Sequence, residues 1–288
     1  MRKTGLSQRA TLTRENFLAY RAAGLDCLEI SPAQEEYPHI DLQNIAALAK
    51  EFGITLWSFH LRFLPFAQYS ISNPEEAMRR FAVEDHKKWI AAATQAGITR
   101  FVIHASGEPI SDEERPLQIA QAKRSLCELA AFAAQHGAVI AVEDLPRSCL
   151  GNHSAELLDL VSCDERLRIC FDTNHLLGED PCAFLRTIAP KLLTTHVSDY
   201  DFINERHWLP GEGDMDWKAL MDTFDEVGYT GPILYEVTQK QAWNTMVRER
   251  ALLSADFVQN HKELEARAPL SVIGTRVANL GMWGPENS

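Results

Sequence analysis

The chain has 288 residues, 45% of them hydrophobic and 24% charged, with a formal net charge of −12. This is the composition of a globular protein able to bury a substantial core, long enough for one large α/β domain or two ordinary ones, and it excludes a disordered or fibrous chain. The acidic balance opposes a polyphosphate partner, because no local basic patch outweighs it, and no stretch approaches the roughly 18 uninterrupted apolar residues of a membrane helix.

Taken in chain order, short β-rich apolar runs alternate with longer stretches of helical spacing. The opening "MRKTGLSQRATLTREN" lacks the apolar segment of a secretory signal, so a cytoplasmic location is expected. Strands are predicted at "KTGLSQ", "LDCLEIS", "ITLWSFHL", "TRFVIHAS", "AVIAVEDL", "LRICFDT", "LLTTHVSD" and "PILYEVT". Among the helices between them are "PEEAMRRFAVEDHKKWIAAATQAG" and "LQIAQAKRSLCELAAFAAQHG"; in the second, Ile119, Ala122, Leu126, Leu129 and Ala133 share one buried stripe. The clusters "MRRF" and "HKKW" read as solvated helix faces. Gly24, Gly53, Gly97, Gly137 and Gly228 each stand just before a strand, where a left-handed helix cap suits glycine.

Eight βα units with nearly continuous apolar strands predict an α/β fold, a (β/α)8 barrel, with a doubly wound open sheet as the runner-up. No linker composition divides the chain, so a single barrel domain is expected over 1–267. The tail 268–288 fits no βα unit, and two placements are open to it: across the barrel, or onto a neighbouring subunit of a homo-oligomer. The six cysteines form no C-x-x-C pair and read as buried free thiols.

In such a barrel the catalytic groups come from the C-terminal strand ends. The third predicted strand ends near His60, the fourth at His104, the fifth at Glu143 and Asp144, and the sixth at Asp172 with His175 beyond it. The seventh carries His196 and Asp199, and the eighth ends at Glu236. One such residue alone reads as a helix cap or a hydrogen-bonded structural group. Six successive strands with the same feature at the same end do not. Carboxylates crowded into one mouth protonate or cost several kcal/mol unless a positive charge compensates them, and a divalent cation is the economical choice. Oxygen and imidazole donors without thiolates suit Mn²⁺, Mg²⁺, Co²⁺ or Zn²⁺, with Mn²⁺ the leading expectation. His39, His86, His136, His153 and His261 lie outside the pattern and read as structural.

The succession "VED", "FDTNH", "THVSD", "RHWLPGEGDMDW" and "YE" resembles the xylose isomerase-like TIM barrels, a superfamily of sugar isomerases and epimerases that also contains endonuclease IV. The resemblance runs over nearly the whole chain. In the family's ketose 3-epimerases two Glu, an Asp and a His hold one metal, and the two Glu also move the proton. By motif, these resemble Glu143, Asp172, His196 and Glu236, with His175 as a substrate-binding residue. The family's substrate-binding Arg falls on His207, a departure that puts the epimerases' oxygen clamp in question. The additional metal ligands of endonuclease IV resemble His60, His104 and Glu205.

The resemblance implies a divalent-metal-dependent isomerase or epimerase acting on a sugar or a polyol-derived keto-sugar. A metal on the carbonyl and its neighbouring hydroxyl acidifies the adjacent C–H and stabilises an enediolate, while Glu143 and Glu236 remove and return the proton. Return to the opposite face of the carbon epimerises; return to the adjacent carbon isomerises. Loss of a β-hydroxyl makes the enzyme a lyase or dehydratase on a keto-inositol or keto-sugar, and an endonuclease IV-like phosphodiesterase is the third reading, opposed by charge. His60, His104, His175 and His207 are expected to position substrate. Trp57, Trp208 and Phe66 either stack on a sugar or pack under loops. Arg147 and Arg206 are candidates to meet an acidic group, and Glu205 and Asp199 are further site candidates. Because no Gly-rich phosphate cradle follows the later strands, an unphosphorylated sugar or polyol is the expected partner.

Overall fold

A computed structural model describes residues 2–237 of the chain. All eight predicted strands are present: β1 Thr4–Gln8, β2 Cys27–Ile30, β3 Thr55–His60, β4 Arg100–His104, β5 Val139–Glu143, β6 Arg168–Asp172, β7 Leu192–His196 and β8 Ile233–Tyr235. They form one parallel sheet in the order β7-β6-β5-β4-β3-β2-β1-β8. The ring closes just past β7, where the Val197 amide donates to Leu234 O at 2.8 Å and the Glu236 amide to Val197 O at 3.1 Å. This is the (β/α)8 barrel that the alternation predicts, and the open doubly wound sheet is set aside.

Helices follow the strands: α1 Arg14–Ala23, α2 Leu42–Phe52, the short α3 Phe66–Tyr69, α4 Glu76–Gln95, α5 Arg115–Gln135, α6 Ser154–Val161, α7 Pro181–Ile188 and α8 Trp217–Glu226. Ala122, Leu126, Leu129 and Ala133 of α5 are buried and Ile119 packs partly buried beside them, as the stripe requires. The five predicted cap glycines all take positive φ. The expected tail at 268–288 lies outside the described residues, as does the expected domain limit at residue 267. No helix among the described residues is long and apolar enough to cross a membrane.

Two expectations change. Arg79 in "MRRF" is not on a solvated face: it is 1% exposed, pairing with Glu76 at 2.9 Å and Glu128 at 3.1 Å and donating to Ser125 Oγ. A buried guanidinium with that many acceptors is a tie between α4 and α5. The six cysteines are free, but only Cys27, Cys149 and Cys170 are fully buried.

The core has two parts. A large apolar layer lies between the sheet and the helices, and a small cluster of Val102, Ala141 and Cys170, with Leu193 against it, fills the barrel interior. Side chains alternate along a strand, so the residue two positions on from each interior residue faces inward as well. From Val102, Ala141 and Cys170 that step leads to His104, Glu143 and Asp172. The apolar layer is therefore the floor on which a polar layer rests, and strand periodicity itself aims these side chains into the mouth.

Candidate functional site

The polar layer collects groups from every strand from β3 to β8. Ligand atoms of Glu143, Asp172, His196 and Glu236 all lie within 4.8 Å of one another, and a trio of His60, His104 and Glu143 meets the same limit. Glu143 is the hinge of both groups. Its Oε2 is 3.0 Å from His60 Nε2 and 3.1 Å from His104 Nε2, and its Oε1 is 2.7 Å from His196 Nδ1. His60 donates Nδ1–H to the Leu61 carbonyl at 2.8 Å, so its Nε2 contact with Glu143 is a hydrogen bond in the imidazolium form, which Glu143 favours against burial. Glu236, at 18% side-chain exposure, is the open side of the cluster, its Oε2 3.5 Å from His196 Nδ1.

Electrostatics shows what the cluster lacks. Burial pushes the Glu143 carboxyl up, but the imidazoles of His196, His104 and His60 outweigh burial and hold it well below its ordinary range. Asp172 goes the other way: burial drives it well above its ordinary range, and His175 opposes this less than burial and the nearby Glu236 and Glu143 favour it. Its Oδ1 takes the Asn174 amide at 2.7 Å, while Oδ2 is buried without a hydrogen-bond partner. An orphaned buried carboxylate oxygen aimed at two further carboxylates marks a place where positive charge is missing. Three carboxylates and one imidazole around that point fit a divalent cation of the Mn²⁺, Mg²⁺, Co²⁺ or Zn²⁺ class.

The rim above the cluster is different. His175 donates Nδ1–H to Asp144 O at 2.7 Å and sets Nε2 3.1 Å from Glu205 Oε1. Glu205 Oε2 in turn meets Arg147 at 2.8 Å, and Arg147 also pairs with Glu108 and Asn204, tying together the loops after β4, β5 and β7. Burial pushes Glu205 up, yet His175 and Arg147 hold it down to about 2. Asp144, whose Oδ1 accepts the Asp172 amide at 2.7 Å, is pushed up to about 8 by burial. His207 lies beside the cluster, its Nδ1 3.1 Å from the Glu236 carbonyl.

Four candidates lie elsewhere. Asp199 is a structural acceptor: its carboxylate takes the amides of Tyr200, Gly211 and Met215 and the Trp217 indole N–H, at 2.7 to 3.2 Å. Trp57 sits at the opposite, N-terminal end of the barrel. It is the extra residue of a bulge in β3, since Leu28 pairs with Leu56 and Glu29 with Ser58. Its indole donates to Thr194 Oγ1 at 3.0 Å and stacks under Arg100 at 3.8 Å. Phe66 stands one ring away from the site; Phe63 is the aromatic that reaches it, stacked on His104 at 4.3 Å. Arg206 is engaged with Asp201 at 2.8 Å and lies over the Trp208 ring.

Sequence reasoning missed Glu29, Asn174 and Cys170. Glu29 in β2 is fully buried with Oε1 2.8 Å from His196 Nε2; the signal was a lone acid inside the apolar run "LDCLEIS". Asn174 Oδ1 takes the amides of Arg206 and His207, fastening the β7 loop to the end of β6. Cys170 lies one layer below Asp172 and joins a trio with Glu143 and His196.

A family model described as "Xylose isomerase-like TIM barrel" matches residues 17–257, and the chain belongs to that family. An uncharacterised protein of Sinorhizobium fredii is 27% identical over 191 residues, covering 62% of this chain and 60% of that protein's length. A solved structure of a D-tagatose 3-epimerase-like protein superposes with a TM-score of 0.77 at 19% identity, covering 91% of this chain and 99% of the other. A 3-keto-D-glucoside 4-epimerase from E. coli superposes with a TM-score of 0.71 at 20% identity, covering 87% and 99%. At these identities the structural likeness shows the fold.

Proposed function

We propose that this member of the xylose isomerase-like barrels is a divalent-metal-dependent isomerase or epimerase of an unphosphorylated sugar or polyol-derived keto-sugar. The observation that carries the reading is the convergence of Glu143, Asp172, His196 and Glu236 within 4.8 Å, with the orphaned Asp172 oxygen among them. These four residues would hold the cation, Mn²⁺ first. Bound there, it supplies a Lewis acid for the substrate's carbonyl and adjacent hydroxyl oxygens.

The protein groups then divide the proton transfer. Glu143 comes from β5 and Glu236 from the end of β8, so they reach a substrate in the mouth from different sides. Glu143, kept ionised by its imidazole neighbours, suits the base that takes the proton from the carbon beside the carbonyl; Glu236 is placed to return one. His60 and His104 hold the Glu143 carboxylate in place. His207 takes the position on the Glu236 side where it can meet a substrate oxygen. His175 is held through Nδ1 by Asp144 O and has Glu205 3.1 Å from Nε2, so its substrate contact requires Glu205 to yield. The D-tagatose 3-epimerase-like protein and the 3-keto-D-glucoside 4-epimerase that superpose on the chain are named for inversion at a sugar carbon, which agrees with this chemistry.

Incubation of Mn²⁺-loaded protein with ketoses and keto-inositols in D₂O tests the proposal. Deuterium entering a carbon-bound position without loss of water supports it; loss of water selects the dehydratase. Absence of exchange into the whole panel by metal-loaded protein counts against both. The His60, His104 and Glu143 trio gives the phosphodiesterase reading its one supporting observation, and cleavage of abasic-site DNA tests it. The net charge of −12 argues against that substrate.

A further inference from the structure

We propose that Glu29 is the positioning residue for His196, holding the imidazole with its proton on Nε2 and its Nδ1 lone pair turned to the carboxylate cluster. The inference rests on the metal-dependent reading above and assigns a residue that reading does not use.

Glu29 is fully buried in β2, one strand from each of two hydroxyls that pin it. Ser7 Oγ of β1 donates to Oε1 at 3.0 Å, and Ser58 Oγ of β3 donates to Oε2 at 2.7 Å. Two neutral hydroxyls fix the carboxylate without neutralising it, and a buried carboxylate that faces no cation is costly. His196 meets it from across the barrel, with Nε2 2.8 Å from Oε1 and the contact bent off the N–H line. The other ring nitrogen, Nδ1, lies 2.7 Å from Glu143 Oε1, 3.5 Å from Glu236 Oε2 and 4.0 Å from Asp172 Oδ2. The ring is thus wedged between an acid on its far side and the cluster on its near side, one nitrogen to each.

That placement decides the tautomer. A neutral imidazole carries one N–H. Without a cation both ring nitrogens face a carboxylate, Nδ1 in a hydrogen bond to Glu143 Oε1 and Nε2 beside Glu29 Oε1; once a cation takes the Nδ1 lone pair, the single N–H of the neutral ring is left to Nε2, facing Glu29. A carboxylate behind the distal nitrogen of a ligating histidine fixes the ring's orientation and raises its basicity, and loss of such a partner typically weakens metal affinity 10- to 100-fold.

Titration with Mn²⁺, following free Mn²⁺ by electron paramagnetic resonance, tests the assignment without reference to turnover. Glu29→Ala is expected to bind Mn²⁺ roughly 10- to 100-fold more weakly than wild type. Glu29→Gln, which keeps an acceptor and loses the charge, should fall between them, and Ser58→Ala should lose a few-fold at most. The metal-free variants are compared by thermal midpoint, so that weaker binding is read in folded protein. In ¹⁵N NMR of zinc-loaded wild type, His196 should carry its proton on Nε2. Glu29→Ala binding within twofold of wild type, or zinc-loaded His196 protonated on Nδ1, overturns the proposal; should Glu29→Ala not fold, Ser58→Ala and the NMR measurement decide it. Wild type that binds no Mn²⁺ would overturn the metal reading itself, a different failure from Mn²⁺ binding that ignores Glu29.

Discussion

The floor of the barrel mouth and its rim are built from the same residue types and reach opposite electrostatic outcomes. On the floor, Asp172 keeps a buried oxygen without a hydrogen-bond partner, and burial, reinforced by Glu236 and Glu143, drives its carboxyl up. On the rim, Glu205 is equally buried and its Oε1 also lacks a hydrogen bond, yet the His175 imidazole 3.1 Å from Oε1 and the Arg147 guanidinium 2.8 Å from Oε2 bring the carboxyl down to about 2. Burial is common to both and does not distinguish them. The balance of charge does: on the rim both carboxylate oxygens face cationic groups of the protein, whereas Asp172 on the floor sits beside two further carboxylates. Acidic residues in a barrel mouth are thus informative only when their partners are counted.

The sharpest way to break this comparison is at the proton-transfer carboxylates. Glu143→Gln and Glu236→Gln are each expected to lower solvent-deuterium exchange into substrate by about 100-fold or more, the ordinary contribution of a positioned acid or base. Near wild-type exchange in either would remove that residue from the proposed pair. The next effect is linked to occupancy. A cation that binds the folded floor and not the unfolded chain stabilises by about 2.7 kcal/mol at a hundred times its dissociation constant. Thermal midpoints should rise with added Mn²⁺ and fall back with chelator, and Asp172→Asn should abolish the rise while Arg147→Met leaves it.

The rim makes an acid-side prediction with a definite sign. A carboxyl whose folded pKa lies below its unfolded value, about 4.3 for Glu, contributes stability that is present above that pH and is lost as pH falls through the folded value. For Glu205, held at about 2, the window runs from roughly pH 4 down to pH 2, and the contribution is of order 3 kcal/mol. Arg147→Met removes one of its two cationic partners. Acid unfolding of the metal-free variant, followed by circular dichroism, should therefore begin at a higher pH than in wild type.

What the sequence showed and what it hid follow from the same periodicity. The eight strands were legible because a parallel sheet covered on both faces needs apolar runs, and the floor was legible because His104, Glu143 and Asp172 interrupt such runs at their last residue. Asp199 carries the same signature, three residues past His196, but the long β7 loop folds back onto it. Its fate was set by the amides of residues 12 and 16 positions further on, which no local pattern shows. Gly213 belongs to that fold-back: a Cβ there would run into Tyr200 and the Asp199 carboxylate. Glu29 was hidden for the opposite reason, since an acid in mid-strand reads as an anomaly until His196 is placed across the barrel from it. Asp199→Asn should accordingly cost about 1 to 2 kcal/mol of stability, as hydrogen bonds to a charged acceptor weaken, and leave Mn²⁺ affinity within twofold.

The smallest expected effect tests the two ends of the barrel against each other. Strict alternation from His60 would turn Trp57 away from the interior; the bulge at Trp57 breaks it, and the indole enters the N-terminal end instead. There it lines a cavity of about 330 Å³ with Arg100, Leu192 and Tyr229, three residues before His60 along β3. Trp57→Phe keeps an aromatic ring beneath Arg100 and removes the hydrogen bond to Thr194, a loss of about 1 kcal/mol at most. A lowered thermal midpoint with unchanged Mn²⁺ affinity and unchanged Michaelis constant keeps Trp57 in the scaffold. A change in the Michaelis constant alone would mean that the apolar floor between the two layers transmits strain to the mouth, because the distance leaves no room for contact.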